Sequence, residues 1–261
     1  MAVTRVEIKK IKSLSSRKGR REHGLYAAEG VRLLEEAIRY KSRPKTVYWS
    51  EAMVTDRGLK LIADFQHLDI RTKKVKPEQM QLMADTKSPQ GVLAVFPVPG
   101  QAMTKLWGQG PRKILLCENL SDPGNLGTLA RSALAFGFGG MIMTGASVEP
   151  FSPKVLRASM GAIFALRLGR IEEKDLVPAL KNDRYKLIAA DIGGKPEKQL
   201  PIRSLRNQKL ILALGSEASG LSVPLIKAAD FRVRLSHRRD VESLNVAIAG
   251  SILMKMFYDK N

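Results

Sequence analysis

Cysteine is nearly missing from this chain of 261 residues, where Cys117 stands alone. One thiol excludes an internal disulfide and cannot by itself build a thiolate zinc site. Its neighbours Ile114, Leu115 and Leu116 read as a buried strand, so a packed thiol is expected rather than a nucleophile. Histidine is scarce as well: His23, His67 and His237 are scattered without metal-ligand spacing, and no metal is expected. No apolar run approaches the roughly 20 residues of a membrane span. Residues 1–12 are interrupted by Arg5, Glu7, Lys9 and Lys10, so no secretory signal is read there and a cytoplasmic location is expected. Acidic residues are the last shortage. Against 44 Lys and Arg there are 25 Asp and Glu, a formal net charge of +19. A surplus of that size favours a polyanionic partner, because each phosphate neutralised releases condensed counterions.

What is present is alternation. Breakers crowd residues 97–111, with Pro97, Pro99, Gly100, Gly108, Gly110 and Pro111, and mark a linker. Before it, residues 30–40, 57–65 and 77–84 carry apolar side chains at helical spacing, while 46–49, 70–75 and 91–96 read as strands. After it, 113–117, 140–143, 186–190, 210–214 and 231–235 are apolar strands, and 126–136 and 244–257 are helices. The chain is therefore expected to be α/β, with a small α/β domain over 1–97, a linker over 98–112 and a larger domain over 113–261. Near-continuous apolar strands between helices predict a mainly parallel sheet covered on both faces. The basic N-terminus, with Arg17, Lys18, Arg20 and Arg21 at its densest point, fits phosphate contact or a solvated helix face.

Ligand sites in open α/β sheets lie in loops at the carboxyl ends of strands. Three loops stand out. The first, residues 118–127, holds Asp122, Pro123, Gly124 and Asn125 and leads into a helix that carries Arg131. The second runs Gly215, Ser216, Glu217, Ala218, Ser219, Gly220, Leu221. The third runs Val241, Glu242, Ser243, Leu244, Asn245, Val246. Singly, each fits ordinary turn chemistry. The second nearly matches a phosphate-binding P-loop, but Leu221 stands where that loop needs lysine. Gly137, Gly139 and Gly140 do not complete a dinucleotide fingerprint, because Ile142 stands where glycine belongs. Ser243 has neither a nearby histidine nor the glycines of a nucleophile elbow, which leaves a hydrolase triad without support.

Taken together and in this order, the three loops resemble the motifs of the SpoU (TrmH) branch of the SPOUT RNA methyltransferases. Asn125 and Arg131 match the first motif, Gly215 to Leu221 with Glu217 the second, and Ser243 to Val246 the third. The N-terminal stretch from Arg17, including Glu29, Gly30, Glu35 and Glu36, is similar to the substrate-recruiting domain of many members, a ribosomal-protein-like RNA binder. Two departures stand out: Leu235, Ser236 and His237 replace an Ile-Pro-Met, and Ala218 and Ser219 fall where glycine is common.

The resemblance implies a deep trefoil knot in the C-terminal domain, a homodimer with its pocket at the subunit interface, and S-adenosylmethionine (SAM) as cofactor. It implies methylation of a ribose 2′-hydroxyl, with 23S ribosomal RNA the expected target. Transfer RNA, or a silent RNA-binding assembly factor on the same fold, are the alternatives. Arg131, Asn125, Glu217, Ser243 and Asn245 are the implied catalytic residues. Thr144, Gly215, Leu235 and Leu244 are implied to hold the cofactor, and Arg17, Lys18, Arg20 and Arg21 to hold RNA. Because a guanidinium stays protonated to beyond about pH 12, Arg131 is expected to stabilise the developing alkoxide rather than to act as a free base.

Overall fold

A computed structural model describes residues 3–100, 106, 110–181, 185–238, 240 and 243–258. Val241 and Glu242 of the third motif, and most of the expected linker, lie outside the described residues. In chain order the elements begin with α1 (Arg5–Ser13), α2 (Arg17–His23), β1 (Leu25–Glu29), α3 (Val31–Arg39) and β2 (Thr46–Trp49). Next come α4 (Asp56–His67), β3 (Thr72–Lys74), α5 (Pro77–Met83), β4 (Val92–Pro97), β5 (Lys113–Cys117) and α6 (Pro123–Ala135). β6 (Gly140–Thr144), α7 (Pro153–Ser159), β7 (Arg167–Ile171), α8 (Glu173–Lys181) and β8 (Lys186–Pro196) follow. The last are α9 (Ile202–Arg206), β9 (Leu210–Leu214), α10 (Val223–Ala228), β10 (Phe231–Arg234) and α11 (Val246–Met256).

The chain gathers into two compact units, Met1–Gly100 with Glu149–Phe164, and Gln101–Val148 with Ala165–Asn261. The first carries a mixed sheet in the order β1-β4-β2-β3, antiparallel except where β2 meets β3. A single cut near the breaker-rich stretch does not describe this division, because α7 and its flanks pack with the N-terminal elements. The reason is aromatic. Phe151 stacks on Tyr26 with ring centroids 4.5 Å apart, and Phe164 lies 5.5 Å from Phe96. Glu149 adds charge, pairing with Arg17 at 3.1 Å and with the buried Arg20 at 2.5 Å.

The second unit is a six-stranded sheet in the order β10-β8-β9-β5-β6-β7, parallel throughout. Alternation along the strands sorts its two faces. Ile114, Leu116, Ile211 and Ala213 point into a core shared with Leu176 of α8 and Leu225 of α10. The opposite parity, which includes Leu214 of β9, meets α11, where Gly250 has room for no side chain because a Cβ would strike Leu214 and Leu129 of α6. Ser132 of α6 and Ser251 of α11 touch at 2.7 Å. Helices on both faces explain why these strands are apolar along their whole length.

The topology positions the site. β5 and β9 are neighbours, yet the helix after β5 goes to one face and the helix after β9 to the other. Their carboxyl ends therefore flank the crevice where open α/β sheets bind ligands. β7 was not expected, since Arg167 and Arg170 interrupt any apolar run in an edge strand. β8 extends six residues past the expected 186–190, to Pro196.

Candidate active site

The first loop leaves β5 through Glu118, a buried carboxylate that accepts the Ser222 backbone N–H at 2.6 Å and the Ser222 hydroxyl at 2.7 Å. Ser222 precedes α10, so Glu118 ties the exit of the second loop to the end of β5. The sequence places Glu118 at the head of the first loop but assigns it no role; an acidic residue directly after an apolar strand is the available signal. The chain then turns into α6, where Asp122 caps the helix by accepting the Asn125 N–H at 2.7 Å and Pro123 starts it without an orphan donor.

The second loop closes tightly on itself. A Cβ on Gly215 would collide with the backbone of Gly220 and Leu221, so this close approach requires glycine. Gly220 lies in the left-handed region at φ +66°, and its N–H reaches the Ser216 carbonyl at 2.9 Å. The turn projects Glu217 toward the first loop.

Glu217 is where the three motifs meet. Its Oε1 accepts Asn125 Nδ2 at 3.1 Å, Asn245 Nδ2 at 2.7 Å and the Val246 N–H at 3.4 Å. Asn245 Nδ2 also donates to Asn125 Oδ1 at 3.0 Å, which closes a triangle of side chains. The other end of Asn245 caps α11, Oδ1 accepting from Ala247 at 3.0 Å and from Ile248 at 3.3 Å. One asparagine thus fixes the start of the closing helix and knits the third motif to the other two.

Of the remaining expected residues, Thr144 ends β6 fully buried, and its hydroxyl has no hydrogen-bond partner among the described residues. Such an orphaned polar atom costs roughly 1–3 kcal/mol unless something satisfies it. Leu235 follows β10, half-buried, and Leu244 is half-buried ahead of α11. Ser236, standing where the resemblance leads to proline, gives its N–H and hydroxyl to Glu197, each at 2.8 Å. Partial burial pushes the Glu197 carboxyl up, but the Ser236 hydroxyl and N–H outweigh it and hold the group below its ordinary value. Ser243 and Arg131 are exposed and make no hydrogen bond or ion pair with the described residues. Arg131 is six residues beyond Asn125 on α6, which puts it about 9 Å along the helix and off the face of the asparagine. The structure does not bring it to the Glu217 triangle, and Glu217 is engaged by asparagines rather than by Arg131.

In the first unit, Lys18 and Arg21 of α2 are exposed. Arg20 is not available to RNA. It is 5% exposed, its Nε and Nη2 bind Glu149, and its Nη1 donates to the carbonyls of Leu14 and Ser15 at 3.0 and 2.9 Å. Burial with four hydrogen bonds makes it a structural residue, a correction to the expected phosphate contact. Arg17 is exposed but already paired with Glu149. Cys117 is a buried free thiol whose pKa is pushed up by burial. Among the described residues no group of three His, Cys, Asp or Glu could hold a metal, and no helix is long and apolar enough to cross a membrane.

Comparison with known proteins gives the family. Residues 112–255 match the SpoU rRNA Methylase family, and residues 6–94 match the MRM3-like substrate binding domain. An uncharacterised tRNA/rRNA methyltransferase of Synechocystis is 33% identical over 95% of this chain and 88% of its own length. The 23S rRNA (guanosine(2553)-2′-O)-methyltransferase RlmP of Bacillus subtilis is 27% identical over 95% of this chain and 94% of its own. A crystal structure of an AdoMet-bound rRNA methyltransferase from Sinorhizobium meliloti superposes with a TM-score of 0.85, at 25% identity, covering 98% of this chain and 95% of that one.

Proposed function

We propose a function from one premise, that the chain belongs to the SpoU rRNA Methylase family. It transfers a methyl group from SAM to a ribose 2′-hydroxyl of ribosomal RNA, with 23S rRNA the target by analogy with the Bacillus relative. The observation that carries this reading is the meeting of three separate motifs on Glu217, at the crevice between β5 and β9.

The residues present fit SAM. Thr144 offers a buried hydroxyl without a partner among the described residues, Gly215 and Leu235 directly follow the carboxyl ends of β9 and β10, and Leu244 adjoins Asn245, which bonds to Glu217. When bound, SAM supplies a methyl group on a positively charged sulfur, a leaving group that asks nothing further of the protein. The chain must then orient the ribose and stabilise the negative charge that grows on its oxygen. Asn125 and Asn245, locked by Glu217, orient; Ser243, exposed beside them, adds a hydroxyl at the mouth. Arg131 supplies positive charge to the alkoxide, and the proton leaves to a neighbour or to water. Lys18 and Arg21 hold the RNA backbone, in the domain that matches a substrate-binding family.

Arg131 reaches a pocket through a second copy of the chain. Ile248 and Ile252 lie one turn apart on α11 and are 54% and 44% exposed. Ser132 and Ser251 join α6 to α11 at 2.7 Å, and their chain neighbours Arg131 and Ile252 are both exposed. An apolar stripe beside an unpaired arginine supports a two-fold interface that completes the site. Sedimentation of the wild type should give a dimer and Ile248→Glu with Ile252→Glu a monomer; a wild-type monomer at micromolar concentration would refute the interface.

The C-terminal segment is threaded as a trefoil knot. In support, the chain runs from central β9 out to edge strand β10 and then returns, so that Asn245 reaches back to Asn125 and Glu217. Pulling the protein at residues 113 and 258 should leave its extended length short by a tightened knot; a full contour length would disprove threading.

The decisive test of the reaction is methyl transfer from labelled SAM to ribosomal RNA, with 2′-O-methyl mapping of the product. Transfer to a base, or no transfer despite SAM and RNA binding, would overturn the proposal.

A further inference from the structure

The pairing of β10 with β8 is interrupted shortly before the chain leaves the sheet. β10 pairs with β8 as Phe231 with Ile188 and Arg232 with Ala189, and then as Val233 with Lys195, so β8 residues 190–194 have no partner on β10. Only Val233 and Arg234 are paired again before the chain leaves through Leu235. Side chains make good the break. Asp191 binds Arg232 through Nε at 2.9 Å and Nη2 at 2.5 Å, on the near side of the loop. On the far side Glu197, which opens the turn directly after β8, takes both donors of Ser236 on one oxygen at 2.8 Å. Because β8 and β10 are parallel neighbours, their carboxyl ends emerge side by side, and the reach is short.

We propose that Glu197 is a positioning residue for the SAM pocket: by clamping Ser236 it fixes the direction in which the adjoining Leu235 backbone faces the cofactor. The inference rests on the reading of Leu235 as a pocket residue. An unclamped Leu235 has to be ordered at the moment of binding, and that entropy is taken from affinity. Glu197 bonds to Ser236 and stands outside the Glu217 triangle, so its effect falls on SAM affinity and not on the chemical step. Glutamine keeps a carbonyl oxygen able to accept both Ser236 donors; alanine keeps nothing.

Calorimetry with SAM on the full-length protein tests this, with RNA affinity and single-turnover rate measured alongside. Glu197→Ala should weaken SAM binding by about tenfold, the loss typical of hydrogen bonds to a charged group. RNA affinity and the rate at saturating SAM should be unchanged. Glu197→Gln should stay within about threefold of wild type by retaining both acceptor contacts. Ser236→Ala should fall between them, and adding it to Glu197→Ala should cost nothing more, since the two act as one contact. Wild-type SAM affinity in Glu197→Ala, equal losses in the alanine and glutamine variants, or a slowed chemical step at full affinity would each overturn the proposal. Should Glu197→Ala lose its cooperative melt, Ser236→Ala decides: weakened SAM binding supports the clamp and unchanged binding refutes it. A wild type that binds no SAM would instead bring down the pocket reading itself, and the clamp with it.

Discussion

At the scale of single residues, the site separates groups that hold the structure from groups that are free to react. Arg131 is exposed and its side chain makes no hydrogen bond or ion pair with the described residues, so its removal costs the fold little. Arg131→Ala should leave the melting temperature and SAM affinity intact while cutting single-turnover rate by about 10²–10³-fold, the usual loss of one oxyanion donor. Arg131→Lys should not restore it, because a point charge lacks the guanidinium fork. Near-normal turnover in the alanine variant would remove Arg131 from the mechanism. Asn245 has two tasks that can be split. Serine at this position still caps α11, so Asn245→Ser should stay within about 0.5 kcal/mol of wild type. It cannot span to both Asn125 and Glu217, and turnover should fall about 10²-fold through misplacement. A Ser variant with wild-type turnover would show that the triangle is only structural.

At the scale of elements, two local devices make predictions of opposite kinds. Gly215→Ala meets backbone, not a yielding side chain, so the second loop must open. A loss of about 1–3 kcal/mol in stability is expected, with weakened SAM binding; unchanged denaturant midpoints would contradict the tight approach. The other device is the docking of α1. Glu7 Oε1 accepts Tyr48 Oη at 2.5 Å and Lys73 Nζ at 2.7 Å. Partial burial pushes its carboxyl up, but the lysine and the tyrosine hydroxyl outweigh it and hold the group below its ordinary value. A depressed folded value means that the contribution is complete above the ordinary carboxylate range and is lost as pH falls through it. Melts between about pH 3 and 6 should show wild-type stability falling more steeply than that of Glu7→Gln; parallel curves would exclude the contact as an acid-sensitive one.

At the scale of the whole molecule, the N-terminal unit is not a contiguous piece of chain. A fragment of residues 1–100 lacks the Phe151 and Phe164 rings that cover Tyr26 and Phe96, and a fragment beginning at Lys113 carries those rings without their partners. Phe151 is buried and Phe164 half-buried, and a buried aromatic is worth about 3 kcal/mol, a large share of a domain's stability. The 1–100 fragment should therefore melt without a sharp transition, and a cooperative melt like that of the full chain would count against the division. RNA recruitment is better tested in the full chain. Lys18→Ala with Arg21→Ala should lower RNA affinity and reduce the salt slope by about two, whereas Arg20→Ala should act through stability.

The elements over 30–96, the apolar strands of the second sheet and the three loops that meet at Glu217 were legible in the sequence, because periodicity, apolar runs and turn residues are local properties of the chain. Order along the chain also made the loops readable as one set. Other features were invisible to it. Glu149–Phe164 joins the first unit because Phe151 and Phe164 find Tyr26 and Phe96 more than 60 residues away in sequence, and no local pattern encodes a partner. Arg20 looks like its neighbours Arg17, Lys18 and Arg21 until the fold brings Glu149 against it. Composition determined that this protein is basic and the periodicity of its apolar residues that it is α/β; only tertiary contact decided which arginine is structural, and that Glu217 gathers Asn125 and Asn245, since a hydrogen bond depends on distance in space and the sequence records distance along the chain.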